Sequence, residues 1–445
     1  MIQASTIQAG EMKAPAALRI FDFSPTAEWS LGKRIAFRLV AAYFILFNLP
    51  YQGHVSILGP IPGSQFLTQP YIRGSRRVVE WVAAHVFHLT GSIAVYPRVN
   101  GSGDSTLDYI HQLLMVVIAL VATIVSSILD RKRPNYRRFH AWLRIWVRYA
   151  LLLTLFGYGF AKVFPLQFPP PYLARLLEPL NEFSPMGVLW TFMGVSPAYT
   201  IFSGAAEVTG GLLLMFRRTT TIGALVSAAV MLNVVMLNFS YDVPVKLYST
   251  NLLLMAIFLA APDLKRLFDA FVMNRAIQSS KVDTPLFRSR GARIATVALK
   301  TVFLGYVLFL QIRGGIQGYR NFYSNAPRSP LYGIWNVESF VRSGQEVTGG
   351  SRWSKVVMDR PQSMAIRRED QPMLNFQTSY DQAQHRITLT KSGYLDYTRS
   401  DESSLIFDGV VLSEPVKIRL KKIDTSKYLL LSRGFHWINE LPFNR

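Results

Sequence analysis

The chain has 445 residues, 50% of them hydrophobic and 17% charged, with a formal net charge of +21. That apolar content is too high for a string of water-soluble domains, so a bilayer is the implied solvent; the basic residues gather in short loops beside apolar runs, which sets nucleic acid aside as a partner. No cysteine occurs, which excludes disulfides, thiol chemistry, iron–sulfur ligation and zinc–thiolate sites.

Residues 1–32 are polar and read as a cytoplasmic N-terminal segment. Lys33 and Arg34 precede the apolar run Ile35–Leu49, which no small-residue cleavage site follows, so it reads as a first span kept in the chain. The next stretch, Pro50–Ser105, is an outer loop in which Val78, Val79, Val82, Val86 and Leu89 fall at helical spacing, predicting a helix along the outer surface. Further spans are predicted at Thr106–Leu129, Ala141–Phe164, Ala198–Phe216, Thr219–Phe239, Lys246–Ala261 and Ile294–Ile312. Each is close to the ~20 residues that cross a bilayer. The Pro- and aromatic-rich loop Pro165–Pro197 is expected to cap the bundle.

Orientation follows from the short loops. Asp130–His140 carries Arg131, Lys132, Arg133, Arg137 and Arg138; Arg217 and Arg218 join the fourth and fifth spans; Asp263–Arg293 holds Lys265, Arg266, Arg275, Lys281, Arg288, Arg290 and Arg293. All three loops fall on one side if the spans alternate, and the positive-inside rule makes that side cytoplasmic. The fold class is therefore an all-α membrane bundle of about seven spans over 33–318, N-terminus in and C-terminus out, followed by an extracytoplasmic domain at 329–445. In that last part the period changes to two: Val416, Ile418 and Leu420 alternate with Lys417, Arg419 and Lys421. Similar runs at Ile334–Phe340, Trp353–Met358, Ile387–Thr390, Leu395–Thr398, Leu405–Val411 and Tyr428–Ser432, separated by turn residues, predict a small antiparallel β-barrel.

Glu207 is the outstanding candidate site residue. A carboxylate midway along a span costs several kcal/mol unless it is paired, protonated or hydrated. Ser203, Glu207 and Gly211 share one helix face, and Ala206 with Gly210 forms a small-xxx-small pair for close packing. On the third span Arg144, Arg148, Tyr158 and Lys162 trace a polar stripe, and counting depth from the span ends predicts an Arg148–Glu207 ion pair. Such a pair either fixes packing alone or belongs to a proton path.

Lys162, one turn before Pro165, either snorkels to the interface or joins His111, Tyr158, Asn233, Asn238 and Asn251 in an outward-opening pocket. Donors of that kind suit the carbonyls of a quinone, and a desolvated Lys162 would suit a base. His85 and His88 have no evident third ligand, so no metal site is expected.

Two short motifs carry a resemblance. The third to sixth spans, 141–262, resemble the DoxX family of bacterial membrane proteins through Gly159-Phe160-Ala161-Lys162 and through Glu207-Val208-Thr209-Gly210-Gly211 with Leu212, Leu213 and Leu214 after it. The resemblance implies a four-helix unit in a bacterial cytoplasmic membrane and, in some members, association with quinone-linked sulfur oxidation or thiol-stress complexes. The Tyr158-to-Lys162 context is also similar to the membrane part of vitamin-K-dependent carboxylase-like proteins, which implies Lys162 as a base toward a hydroquinone. Gly333-Ile334-Trp335 resembles the Gly-x-Trp of lipocalin-like barrels, which implies that Trp335 closes one end with a late-strand arginine, Arg433, stacked on it.

Together these readings give an envelope protein of accessory or ligand-handling type, binding a quinone or lipid in an outward pocket with Lys162 and Glu207 as candidate catalytic groups. The alternatives are a quinone-linked or carboxylase-like enzyme, and a structural anchor for a barrel that binds an envelope protein partner. The width of the barrel interior separates them: a cavity suits ligand handover, a filled interior a recognition module.

Overall fold

The structure, a computed structural model, describes residues 28–51, 57–95, 101–277, 290–369 and 371–443. Lys281 and Arg288 of the third basic loop lie outside them. The helices are α1 (Leu31–Phe47), α2 (Gln65–His85), α3 (Thr106–Leu129), α4 (Arg137–Val163), α5 (Pro185–Val195), α6 (Pro197–Met215), α7 (Thr220–Ser240), α8 (Lys246–Ala260), α9 (Leu264–Phe271) and α10 (Arg290–Tyr319). By contacts the chain divides into two units, one of Met1–Val163 with Phe202–Gly314 and one of Phe164–Ile201 with Gly315–Arg445.

Among the described residues, five stretches are long and apolar enough to cross a membrane: α3, α6, Arg217–Ser240, Lys246–Phe271 and Arg290–Tyr323. Two of the seven expected spans fall short of that standard for different reasons. α1 ends after 17 residues, about 25 Å of helix. α4 is long enough at 27 residues but carries Arg137, Arg138, Arg144, Arg148 and Lys162.

Those charges sit on a helix that is otherwise the centre of the core. Ala150 to Phe156 are buried in succession, as a helix enclosed on every side must be. Phe44 of α1, Leu214 of α6, Ala224 and Met231 of α7 and Met255 of α8 join α4 in one apolar cluster.

Local signals set the helix starts. Ser105 and Asp108 form a reciprocal capping box at α3, and the Ser30 side chain accepts from the Lys33 amide at α1. The expected surface helix forms only in part: α2 begins earlier, at Gln65, and ends at His85, before Val86 and Leu89, with a different face inward. Val79, Val82 and Ala83 pack on Tyr51, Leu107 and Ile110, whereas Val78 and Val86 are exposed.

In the second unit the strands are β1 (Gly333–Arg342), β2 (Gln345–Glu346), β3 (Trp353–Met358), β4 (Ser363–Arg368), β5 (Leu374–Asp381), β6 (Arg386–Leu389), β7 (Gly393–Arg399), β8 (Ser404–Val411) and β9 (Glu414–Lys422). Neighbours pair antiparallel from β3 through to β9, β1 pairs with both β3 and β9, and eight strands thereby close into a barrel with β2 as a two-residue extension of β1. The expected strand at Tyr428–Ser432 is instead a one-turn helix, α11 (Leu429–Ser432).

The barrel interior is filled. Trp335, Phe340, Trp353, Met358, Met364, Ile387, Leu395 and Phe407 belong to one buried cluster drawn from both ends of the barrel sequence. Phe340 and Trp353 have ring centroids 5.1 Å apart at the middle of it.

The loop expected to cap the bundle belongs by its contacts to this barrel unit. Leu173 packs with Ile334, Val357 and Ala365, its amide donates to Asp359 at 3.3 Å, and Glu182 meets Arg367 at 3.0 Å. This covering explains why Ala365 is buried on the outer face of β4.

Candidate functional site

Small residues decide where α4 and α6 touch. A Cβ on Gly204 would lie 2.6 Å from the carbonyl oxygen of Gly159, and one on Gly159 would lie 2.8 Å from Val208. Neither helix could approach so closely with a larger residue. Gly211 continues the seam against the Phe156 ring, while Gly210 faces Ser227 of α7.

This seam brings Lys162 to Glu207. The ammonium Nζ donates to both carboxylate oxygens, at 2.8 and 3.0 Å, with the two side chains 7% and 1% exposed. Charges so placed are held because each satisfies the other, since an isolated ion there would be far costlier. The Tyr158 ring lies 5.7 Å from Lys162 Nζ, and Tyr158 and Tyr248 of α8 have ring centroids 6.1 Å apart. The Tyr248 hydroxyl in turn shares a 3.3 Å hydrogen bond with Thr154 Oγ1. A polar track thus runs from the ion pair along α4.

The expected Arg148–Glu207 pair is corrected by this register. α4 and α6 run antiparallel with Gly159 against Gly204, so Arg148 falls beyond the end of α6 and donates to Thr220 at 3.1 Å. Equal depth from the span ends was a poor guide because the two helices do not begin and end at the same level. The seam glycine Gly204 and Tyr248 were both missed; the Gly204–Gly211 spacing, seven residues on the Glu207 face, was the available signal.

The other expected pocket residues do not all converge on Lys162. Asn238 donates to Ser249 at 2.9 Å, and Asn251 accepts from Tyr43, which also bonds Gln112. His111 stacks on Tyr51 with centroids 3.7 Å apart, and Asn233 is exposed on α7. The pocket is thus replaced by separate side-chain pairs, with only Tyr158 beside Lys162.

At the barrel, Trp335 is fully buried and its indole N–H donates to Leu331 at 3.0 Å. The cation near its ring is Lys422, 5.8 Å from the centroid. Arg433 is not there: the chain has left the barrel after β9, and the Arg433 side chain donates to Asn439 and lies over Phe443.

A glycine-seamed helical unit with a buried intramembrane-type ion pair, continued into a solid eight-stranded barrel, defines a two-part membrane protein. Over 126 residues, 28% of this chain and 79% of the relative, it is 30% identical to the uncharacterized protein YwoB of Bacillus subtilis, and it belongs to the same family as that protein. No family model matches the chain, and no solved structure does.

Proposed function

We propose that this is a DoxX-like, multi-pass accessory protein of a bacterial cell envelope, whose helical unit holds a barrel that recognises a protein partner. The observation that carries the reading is the filled barrel: with Trp335, Phe340 and Phe407 wholly buried inside, recognition belongs to its outer surface. The chain after the barrel supports this, because Phe435, Trp437, Ile438 and Leu441 are 78%, 91%, 78% and 79% exposed. An apolar run left so open marks an interaction surface. Read as seven spans with the N-terminus inside, the distribution of the basic loops supports a barrel outside the cytoplasm.

The test is truncation after Ser432 in the tagged full chain. The intact protein should migrate in native gels of mild-detergent extracts as part of a larger complex, and the truncated one alone. Equal migration of the two would remove the reading.

A second reading rests on the ion pair itself. Ionisable groups within membrane helices are functional candidates by default, and Lys162, Glu207, Tyr158 and Tyr248 offer donors and acceptors to a quinone head group. A base role for Lys162 first requires breaking its two bonds to Glu207. Extraction of protein purified from native membranes should then yield a quinone that is lost in Lys162→Ala; an empty extract removes this reading and leaves the first standing.

A further inference from the structure

The helical unit has a second feature, separate from the ion pair. A groove of about 1030 Å³ runs between α4 and α10, lined also by Ile45 of α1 and by Leu49 just after it. Five cations reach its wall, Arg144, Arg148, Arg217, Arg293 and Lys300, and among the described residues that line it there is no carboxylate. Arg144 and Arg148 are one turn apart on α4, and Arg293 and Lys300 two turns apart on α10. Each pair therefore lies on one helix face, and the cations form a belt about 10 Å deep. The remaining wall is apolar and aromatic, with Trp142, Trp146 and Phe303.

Two members of the belt, Arg148 and Lys300, meet only neutral oxygens in the hydrogen bonds they make. Arg148 spends Nη1 on Thr220, while its Nε is buried with no hydrogen-bond partner, as is the indole N–H of Trp146. Lys300 donates to the Met215 carbonyl, which leaves its charge uncompensated by that neutral contact. Buried donors without acceptors are costly, and a bound anion would satisfy them.

We propose that this groove binds an anionic phospholipid, its phosphate against Arg148, Arg293 and Lys300 and its acyl chain against Trp142, Trp146 and Phe303. Charge and shape argue together. Guanidinium groups match phosphate oxygens in a fork, and a basic niche between membrane helices selects an anionic head group. The volume sits at the upper end of the ~300–1,000 Å³ of small-molecule sites, enough for a head group and part of a chain.

The test is native mass spectrometry of the full-length chain, delipidated in detergent and titrated with phosphatidylglycerol or phosphatidylcholine of equal chain length. Phosphatidylglycerol should be retained about tenfold better, the scale of one to two surface cations. The triple variant Arg148→Gln, Arg293→Gln and Lys300→Gln should lose that preference. Arg293→Gln alone, at an exposed position, serves as the variant that keeps the fold, and it should lower the preference part of the way. Equal retention of the two lipids by the parent chain, or an unchanged preference in Arg293→Gln and in a folded triple variant, overturns the proposal. Neither result bears on the partner complex, which is read on a different gel and a different truncation.

Discussion

Lys162 and Glu207 face each other across the α4–α6 seam at 2.8 and 3.0 Å, one on the last turn of its helix and the other near the middle of its own. Removing one charge strands the other in a dry site. Glu207→Leu is expected to cost about 3–5 kcal/mol, while Glu207→Leu with Lys162→Met should recover most of it. Thermal unfolding of the four members of this cycle in detergent measures both; equal melting of the single and double variants would show that the charges are not coupled.

The seam has its own signature. Gly204→Val places methyl groups where 2.6 Å already separates a bare Cβ from the Gly159 carbonyl. Overpacking of about 1–3 kcal/mol is expected, with α6 pushed off α4. Gly74, which has open space around it, should accept Ala without such a cost, so comparing the two melting temperatures isolates the contact.

Trp335 and its neighbours distinguish Lys422 from Arg433. Trp335→Ala should cost about 3–5 kcal/mol, the range for a large buried aromatic. Lys422→Met should cost about 0.5–1 kcal/mol through the lost cation–π contact. Arg433→Met should leave barrel stability unchanged, because the Arg433 side chain donates to Asn439 and lies over Phe443, both past the last strand. Urea unfolding followed by the barrel's hydrogen exchange in the full chain orders the three.

Acid should loosen the strand pair β6–β7. The Arg386 guanidinium, at 2.6 Å, holds the Asp396 carboxyl below the usual carboxylate range, and Ser403 does the same for Asp401 at the turn after β7. A carboxyl whose folded value is depressed adds stability that is fully present above its unfolded value and lost as pH falls through the folded one. Amide exchange in β6 and β7 should therefore quicken as pH drops below about 4, after correction for the intrinsic rate. In Asp396→Asn that dependence should shrink.

Much of this architecture was legible in the sequence, and the gaps have physical causes. α3, α7 and α8 announce themselves because uninterrupted apolar runs mean little else. β8 and β9 announce themselves through alternation, with β9 alternating buried and exposed from Val416 to Lys421. β4 was missed because Met364, Ala365 and Ile366 are buried in succession, the outer face being covered by the loop that carries Leu173. β5 was missed because one of its inward residues is Thr378, a polar group that hides the pattern. At the candidate site, the importance of Glu207 and Lys162 could be read from the cost of charge in hydrocarbon. Their pairing could not, because helix register is set by where glycines let backbones meet.

The central claim, a solid barrel whose exposed end meets a protein, is tested most directly by a photo-crosslinking amino acid placed at Trp437 in cells. A second chain carries the same group at Lys391, in the β6–β7 turn. A single discrete protein adduct from position 437 and none from 391 is the expected result. Absence of any adduct at 437, or the same adducts from both positions, would contradict the account.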